Sequence, residues 1–124
     1  MRKTIATAKA PAAIGPYSQG VNLNGTVFVS GQLPVNPVDG TIPAGIEMQT
    51  RQALDNIGAI LNEAGLTFND IVKTTVLLAD LKDFAAMNEV YAEYFPQDKP
   101  ARACYQVAAV PKGALLEIEA IAGK

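Results

Sequence analysis

Arg102 stands in the run Pro100-Ala101-Arg102-Ala103-Cys104-Tyr105-Gln106-Val107, and a carboxylate, Glu117, follows fifteen residues later. A guanidinium fork binds a planar carboxylate through two parallel hydrogen bonds, which the point charge of a lysine does not reproduce. A glutamate among apolar neighbours has its ionised form disfavoured, which suits it to hold or activate water. The 124-residue chain contains no histidine. That excludes a serine-histidine-aspartate triad and any histidine-ligated zinc or iron site. One cysteine, Cys104, cannot build a thiolate cage, and no Asp/Glu cluster has suitable spacing, so no metal is expected.

Strand periodicity puts Arg102, Cys104 and Gln106 on one face and Ala103, Tyr105 and Val107 on the other. For an arbitrary strand arginine, composition and spacing alone favour an exposed or internally salt-bridged side chain over a ligand-binding one. Glu117 and Glu119 share a face with Leu115 and Ile121. Periodicity does not choose between them, and pairing with Arg102 or a lysine across the sheet is the competing role. Asn88 borders an apolar helical stripe, where an amide ordinarily satisfies a nearby backbone group. Tyr17, Ser30 and Gly31 stand at strand ends, where hydroxyls and an unencumbered backbone reach a ligand. Cys104 reads as a small packed strand residue, since no histidine is present to activate it.

The elements that must position these residues follow from local patterning. Residues 1–16 read as an Ala- and Pro-rich arm. Residues 17–23 and 26–30 flank Asn24-Gly25, a strong hairpin signal. Residues 46–64 carry Ala53, Leu54, Ile57, Ile60, Leu61 and Ala64 at helical spacing, with Gly65 as the stop. Residues 71–78 alternate as a strand. Asp80 is the expected N-cap of a second helix with Phe84, Met87, Tyr91 and Tyr94 along one stripe, ended by Pro96. Residues 101–107 and 115–122 are the last strands, and Pro111-Lys112-Gly113 between them makes them read as a hairpin that sets Arg102 near Glu117. The order β-β-α-β-α-β-β predicts a single α+β domain over residues 1–124, one sheet with two helices on one face. Several strands are apolar on both faces, so self-association over the bare sheet face is expected.

Composition narrows the partners. Hydrophobic residues make up 49% of the chain, enough for a globular core without disulfides. Ten basic residues face twelve acidic ones, and the basic residues are scattered singly, which argues against nucleic acid as a partner. No membrane-length apolar run or signal-like segment is present, and a lone cysteine suits a reducing compartment, so a cytoplasmic location is expected.

Five separated motifs occur in order: Ala13-Ile14-Gly15-Pro16-Tyr17-Ser18-Gln19-Gly20, Ser30-Gly31-Gln32, Asp70-Ile71-Val72-Lys73-Thr74-Thr75-Val76, Pro100-Ala101-Arg102 and Glu117-Ile118-Glu119-Ala120-Ile121. In this combination the chain resembles, essentially end to end, the RidA (YjgF-type) family of reactive-intermediate deaminases. The resemblance implies a chorismate-mutase-like α+β fold assembled as a homotrimer with ligand clefts between subunits. It implies cofactor-independent hydrolysis of 2-imino acids, or their enamine tautomers, released by pyridoxal-phosphate-dependent dehydratases, giving 2-oxo acids and ammonia. In that reading Arg102 binds the substrate carboxylate, backbone groups of Gly31 and Cys104 fix the rest of the ligand, and Glu117 positions the attacking water. Tyr17, Ser30 and Asn88 shape the cleft. Family relatives have also been described as endoribonuclease-type translation inhibitors and as oxidant-activated holdases. A module that captures small carboxylates without turnover is a further alternative.

Overall fold

The long apolar stripe of residues 46–63 forms α1 (Ile46–Glu63), which buries Ala53, Leu54, Ile57, Ile60 and Leu61 completely. Its end follows the glycine signal. The Leu66 N–H donates to the Leu61 carbonyl at 2.8 Å and the Gly65 N–H to the Asn62 carbonyl at 3.0 Å. Gly65 has φ of +77°, the left-handed turn that such a C-terminal motif requires. The second helix, α2 (Phe84–Tyr94), buries Met87, Val90 and Tyr91. Asp80 does cap a helical segment, accepting from the Lys82 N–H at 2.9 Å, but that segment is a single 3-10 turn, Leu81–Asp83, and α2 begins after it.

The computed structural model describes residues 1–124, with β1 (Arg2–Ile5), β2 (Gly20–Leu23), β3 (Thr26–Gln32), β4 (Ile71–Leu78), β5 (Ala101–Gln106) and β6 (Leu116–Gly123) in one sheet. The spatial order is β1-β2-β3-β6-β4-β5, antiparallel throughout except for the parallel β4–β5 pair. Parallel neighbours need a crossover, and α2 supplies it. Both helices lie on one face. There Val27, Val29, Leu116, Ile118, Ala120, Val76 and Leu78 join α1 and α2 in the core. The opposite face carries Phe28 and Tyr105, both exposed, with the half-buried Leu77 and Ile121 beside them.

Three expectations change. The arm at residues 2–5 is a strand, paired with β2 and anchored by the buried Ile5. Residues 17–19 lie outside β2, because the Gln19 side chain bonds to the arm. Most consequentially, β5 and β6 do not form a hairpin, since β4 lies between them. Burial explains the placement: Leu116, Ile118, Ala120 and Ala122 of β6 are fully covered and need a central position. Strand β5 has no fully buried residue and suits an edge. A turn signal such as Pro111-Lys112-Gly113 reports a local change of direction, not which strand pairs next.

No helix is long and apolar enough to cross a membrane. Gly65→Ala would force a Cβ into the left-handed region, with no neighbour within 4 Å to clash or to compensate. It is expected to lower unfolding free energy by about 1 kcal/mol in urea titrations while leaving the far-UV spectrum unchanged.

Candidate active site

Arg102 leaves the edge strand on the helix side. Its register partner on β4 is Thr74, whose side chain is buried beneath α2. From α2 three side chains at helical i, i+4, i+7 spacing reach the guanidinium. Asn88 Oδ1 accepts from Arg102 Nη1 at 2.7 Å, and the Tyr91 and Phe84 ring centroids lie 4.8 and 5.5 Å from Cζ. The ion pairs of the chain are Arg51–Glu93 and Lys82–Asp80, so no carboxylate neutralises Arg102. A cleft of about 490 Å³, lined by Asn88, Tyr91, Phe95, Lys99 and Arg102, opens beside it.

Asn88 therefore does not serve a backbone group, as its helical position alone suggests. Its carbonyl oxygen orients the arginine. Cys104 lies two residues along the same face, half-buried. Burial pushes its thiol above the usual value, against a smaller lowering by Arg102. That keeps the sulfur protonated, in line with a packed rather than nucleophilic cysteine.

Glu117 occupies the other face. Its register partner on β4 is Leu77, which pairs in turn with Tyr105 of β5. The carboxylate lies directly over Gly31: a Cβ built there would fall 2.5 Å from Glu117 Oε2. The absent side chain at Gly31 is what leaves room for the carboxylate in this position, and a larger residue would push it aside. Burial, and then the adjacent charge of Glu119, raise the Glu117 carboxyl above the ordinary glutamate value.

Tyr17, half-exposed, shares a second cleft with Gly31 and Lys112. The loop that carries it is pinned from both sides. The Gln19 amide, 4% exposed, donates to the carbonyls of Thr7, Ala10 and Pro11 and accepts from the Thr7 N–H. The Ser30 hydroxyl donates to the Ser18 carbonyl at 2.5 Å, so Ser30 holds the Tyr17 loop on β3.

The named residues thus form two groups. Arg102, Asn88 and Cys104 lie on the helix face at the β5 edge, while Glu117, Gly31, Ser30 and Tyr17 gather around β3 and β6. Within one chain Arg102 and Glu117 are two strands apart, on opposite faces and displaced along the strand. The expected juxtaposition on neighbouring strands is not formed. Sequence reasoning gave no role to Tyr91 and Phe84 around the guanidinium, or to Gln19 under the Tyr17 loop. Tyr91 and Phe84 belong to the α2 stripe, but nothing local announces which strand they will meet. No group of three or more Cys, Asp or Glu side chains is placed to hold a metal ion.

The family described as Endoribonuclease L-PSP matches residues 7–124. A protein named 2-iminobutanoate/2-iminopropanoate deaminase from Capra hircus is 57% identical over 123 residues, covering 98% of this chain and 90% of its own. One of the same name from Escherichia coli K12 is 54% identical over 125 residues, covering 98% of each. Among solved structures, E. coli TdcF with bound serine superposes with a TM-score of 0.96 at 52% identity, covering 98% of each chain. Yeast Mmf1 gives 0.96 at 40%, covering 100% of this chain and 99% of its own. An α+β fold with these motifs, matched over nearly its whole length, defines the class. The chain belongs to the RidA (YjgF-type) family of imine deaminases.

Two outcomes follow from the contact between Gly31 and Glu117. Gly31→Ala should displace the carboxylate and abolish turnover without unfolding the chain, as read by activity and circular dichroism. Because the folded Glu117 carboxyl binds its proton more tightly than the unfolded one, its contribution to stability is full at low pH. That contribution declines as pH rises from about 4 through the raised folded value. Glu117→Gln should therefore flatten that decline and stabilise the chain at neutral pH, measured by urea unfolding across the range.

Proposed function

We infer that this chain hydrolyses small 2-imino acids, or their enamine tautomers, to 2-oxo acids and ammonia. The observation that carries this reading is the half-buried Arg102, gripped by two rings and one neutral amide with no counter-charge. A guanidinium held in place with no counter-charge is open to a ligand carboxylate, which it can take through two parallel hydrogen bonds. The relatives named 2-iminobutanoate/2-iminopropanoate deaminase support the same substrate class.

The chemistry fits a site without histidine. A protonated imine is already a strong electrophile, so orientation and one modest base suffice and no cofactor is needed. Arg102 holds the carboxylate of the imino acid through paired N–H donors. Backbone groups of Gly31 and Cys104 confine the rest, and Tyr17, Ser30 and Asn88 shape the cleft. Glu117 takes a proton as water attacks the imine carbon, and the C=N pair moves onto nitrogen. Glu117 returns that proton to the amino nitrogen of the resulting carbinolamine, ammonia departs as the C=O bond forms, and the hydroxyl proton passes through Glu117 to the ammonia. In sum, the iminium carboxylate and water give the 2-oxo acid and ammonium.

A molecule of a few heavy atoms does not span both faces of one sheet, so the Arg102 group of one copy must meet the Glu117 group of another. The uncovered apolar face with Phe28, Tyr105, Leu77 and Ile121 supports such assembly. The arrangement is a homotrimer, a closed ring with a cleft between each pair of subunits. The single free thiol fits a reducing cytoplasm.

The test is 2-oxobutanoate release when a threonine dehydratase supplies the imine and semicarbazide competes for it. The wild type should accelerate release, and Arg102→Ala should lose the effect while remaining folded. No acceleration by the wild type would leave a carboxylate-binding module. Co-refolding Arg102→Ala with Glu117→Gln chains should restore roughly a quarter of wild-type activity, because mixed clefts then contain one intact residue of each kind. A mixture as inactive as its parents would defeat the shared-cleft arrangement.

A further inference from the structure

We infer that Tyr91 is a positioning residue for Arg102, and that Thr74 locks Tyr91 in turn; this rests on the reading of Arg102 as the carboxylate anchor. Arginine is long and flexible, and bidentate capture of a carboxylate requires its plane to be set before the ligand arrives. Asn88 fixes one nitrogen of the guanidinium, and a single hydrogen bond leaves rotation about that contact. The Tyr91 ring, 4.8 Å from Cζ, is the closer of the two aromatic faces, and the closer face removes that freedom. Phe84, at 5.5 Å, is partly exposed and so less constrained.

The ring itself is fixed. The Tyr91 hydroxyl and Thr74 Oγ1 lie 2.7 Å apart, both in residues less than a tenth exposed. Burial raises the Tyr91 phenol above its ordinary value, against opposing effects of Thr74 and Arg102, so the hydroxyl stays protonated at neutral pH. Thr74 is also the register partner of Arg102 on the adjacent strand. One β4 residue thereby sets both where the arginine leaves the sheet and where the ring meets it. Phe95 packs on the Tyr91 ring, with its centroid 4.7 Å from that of Tyr91. This contact further limits movement of the ring.

Binding of 2-oxobutanoate, followed by NMR titration of the folded protein, separates positioning from general stability. Tyr91→Leu is expected to weaken binding about tenfold and raise KM more than it lowers kcat, since anchoring acts equally on ground and transition states. Tyr91→Phe retains the ring and should recover most of that loss. Thr74→Val should weaken binding about threefold. Ile57→Val, a core change on α1, should lower stability without altering binding.

The decisive comparison is in an Arg102→Lys background, where an ammonium no longer needs its plane set. There Tyr91→Leu should change binding less than twofold. An equal loss in both backgrounds, or unaltered binding by folded Tyr91→Leu, would overturn the inference. If Tyr91→Leu does not fold, unaltered binding by Thr74→Val would overturn it instead. If Arg102→Lys itself binds as the wild type does, the anchor reading fails first, which distinguishes the two failures.

Discussion

The placement of β6 between β3 and β4 is the constraint on which the rest depends. Leu116, Ile118, Ala120 and Ala122 are nearly inaccessible, and only a central strand beneath α1 gives all four that cover. Each such side chain contributes about 1–3 kcal/mol on burial, the alanines least, so the central position outweighs any local preference of the connecting turn. Once β6 is central, β5 has only the outer side of β4 left. It must run parallel there, with α2 as its crossover. Arg102 is thus delivered to an edge strand, under the helix that carries Asn88, Tyr91 and Phe84.

The same pairing divides the chemistry between two faces. Alternation along β6 sends Glu117 and Glu119 away from the core because Leu116, Ile118 and Ala120 point into it. Alternation along β5 sends Arg102 toward the helices because it is in register with the buried Thr74. A one-residue slip of β6 would turn Glu117 and Glu119 into the core, and one of β5 would turn Arg102 away from α2, so packing fixes the register. The division of the site is therefore a result of core formation.

Much of this was legible in the chain and some was not, for separable reasons. The helix ending at Gly65, the strand at residues 71–78 and the shared face of Arg102, Cys104 and Gln106 follow from local periodicity and turn chemistry. The upward displacement of the Glu117 carboxyl follows from its apolar strand neighbours. Strand order did not follow, because Pro111-Lys112-Gly113 encodes a bend and burial across the whole sheet chooses the partner. Asn88 was read as serving the backbone because the helix pattern cannot reveal that an arginine from a strand will arrive at its side. The short β1 escaped notice since Arg2, Lys3 and Thr4 are exposed, and only Ile5 is anchored.

Neither Arg102 nor Glu117 has an opposite charge beside it in the single chain. Arg102 is half-buried with neutral partners only, and Glu117 is crowded by apolar neighbours and by Glu119. Pairing them directly would relieve both and would also extinguish the site, since a neutralised guanidinium no longer seeks a carboxylate and a salt-bridged glutamate is a weaker base. Placing them on opposite faces prevents that internal neutralisation. In the proposed assembly the two groups come together only where subunits meet, and there the carboxylate of an imino acid would offset Arg102 while its iminium nitrogen faces Glu117. A zwitterionic ligand of small size is the species whose two ends match the polarity of that proposed cleft, so the separation of the two charges within one chain and the proposed choice of an imino acid have the same physical origin.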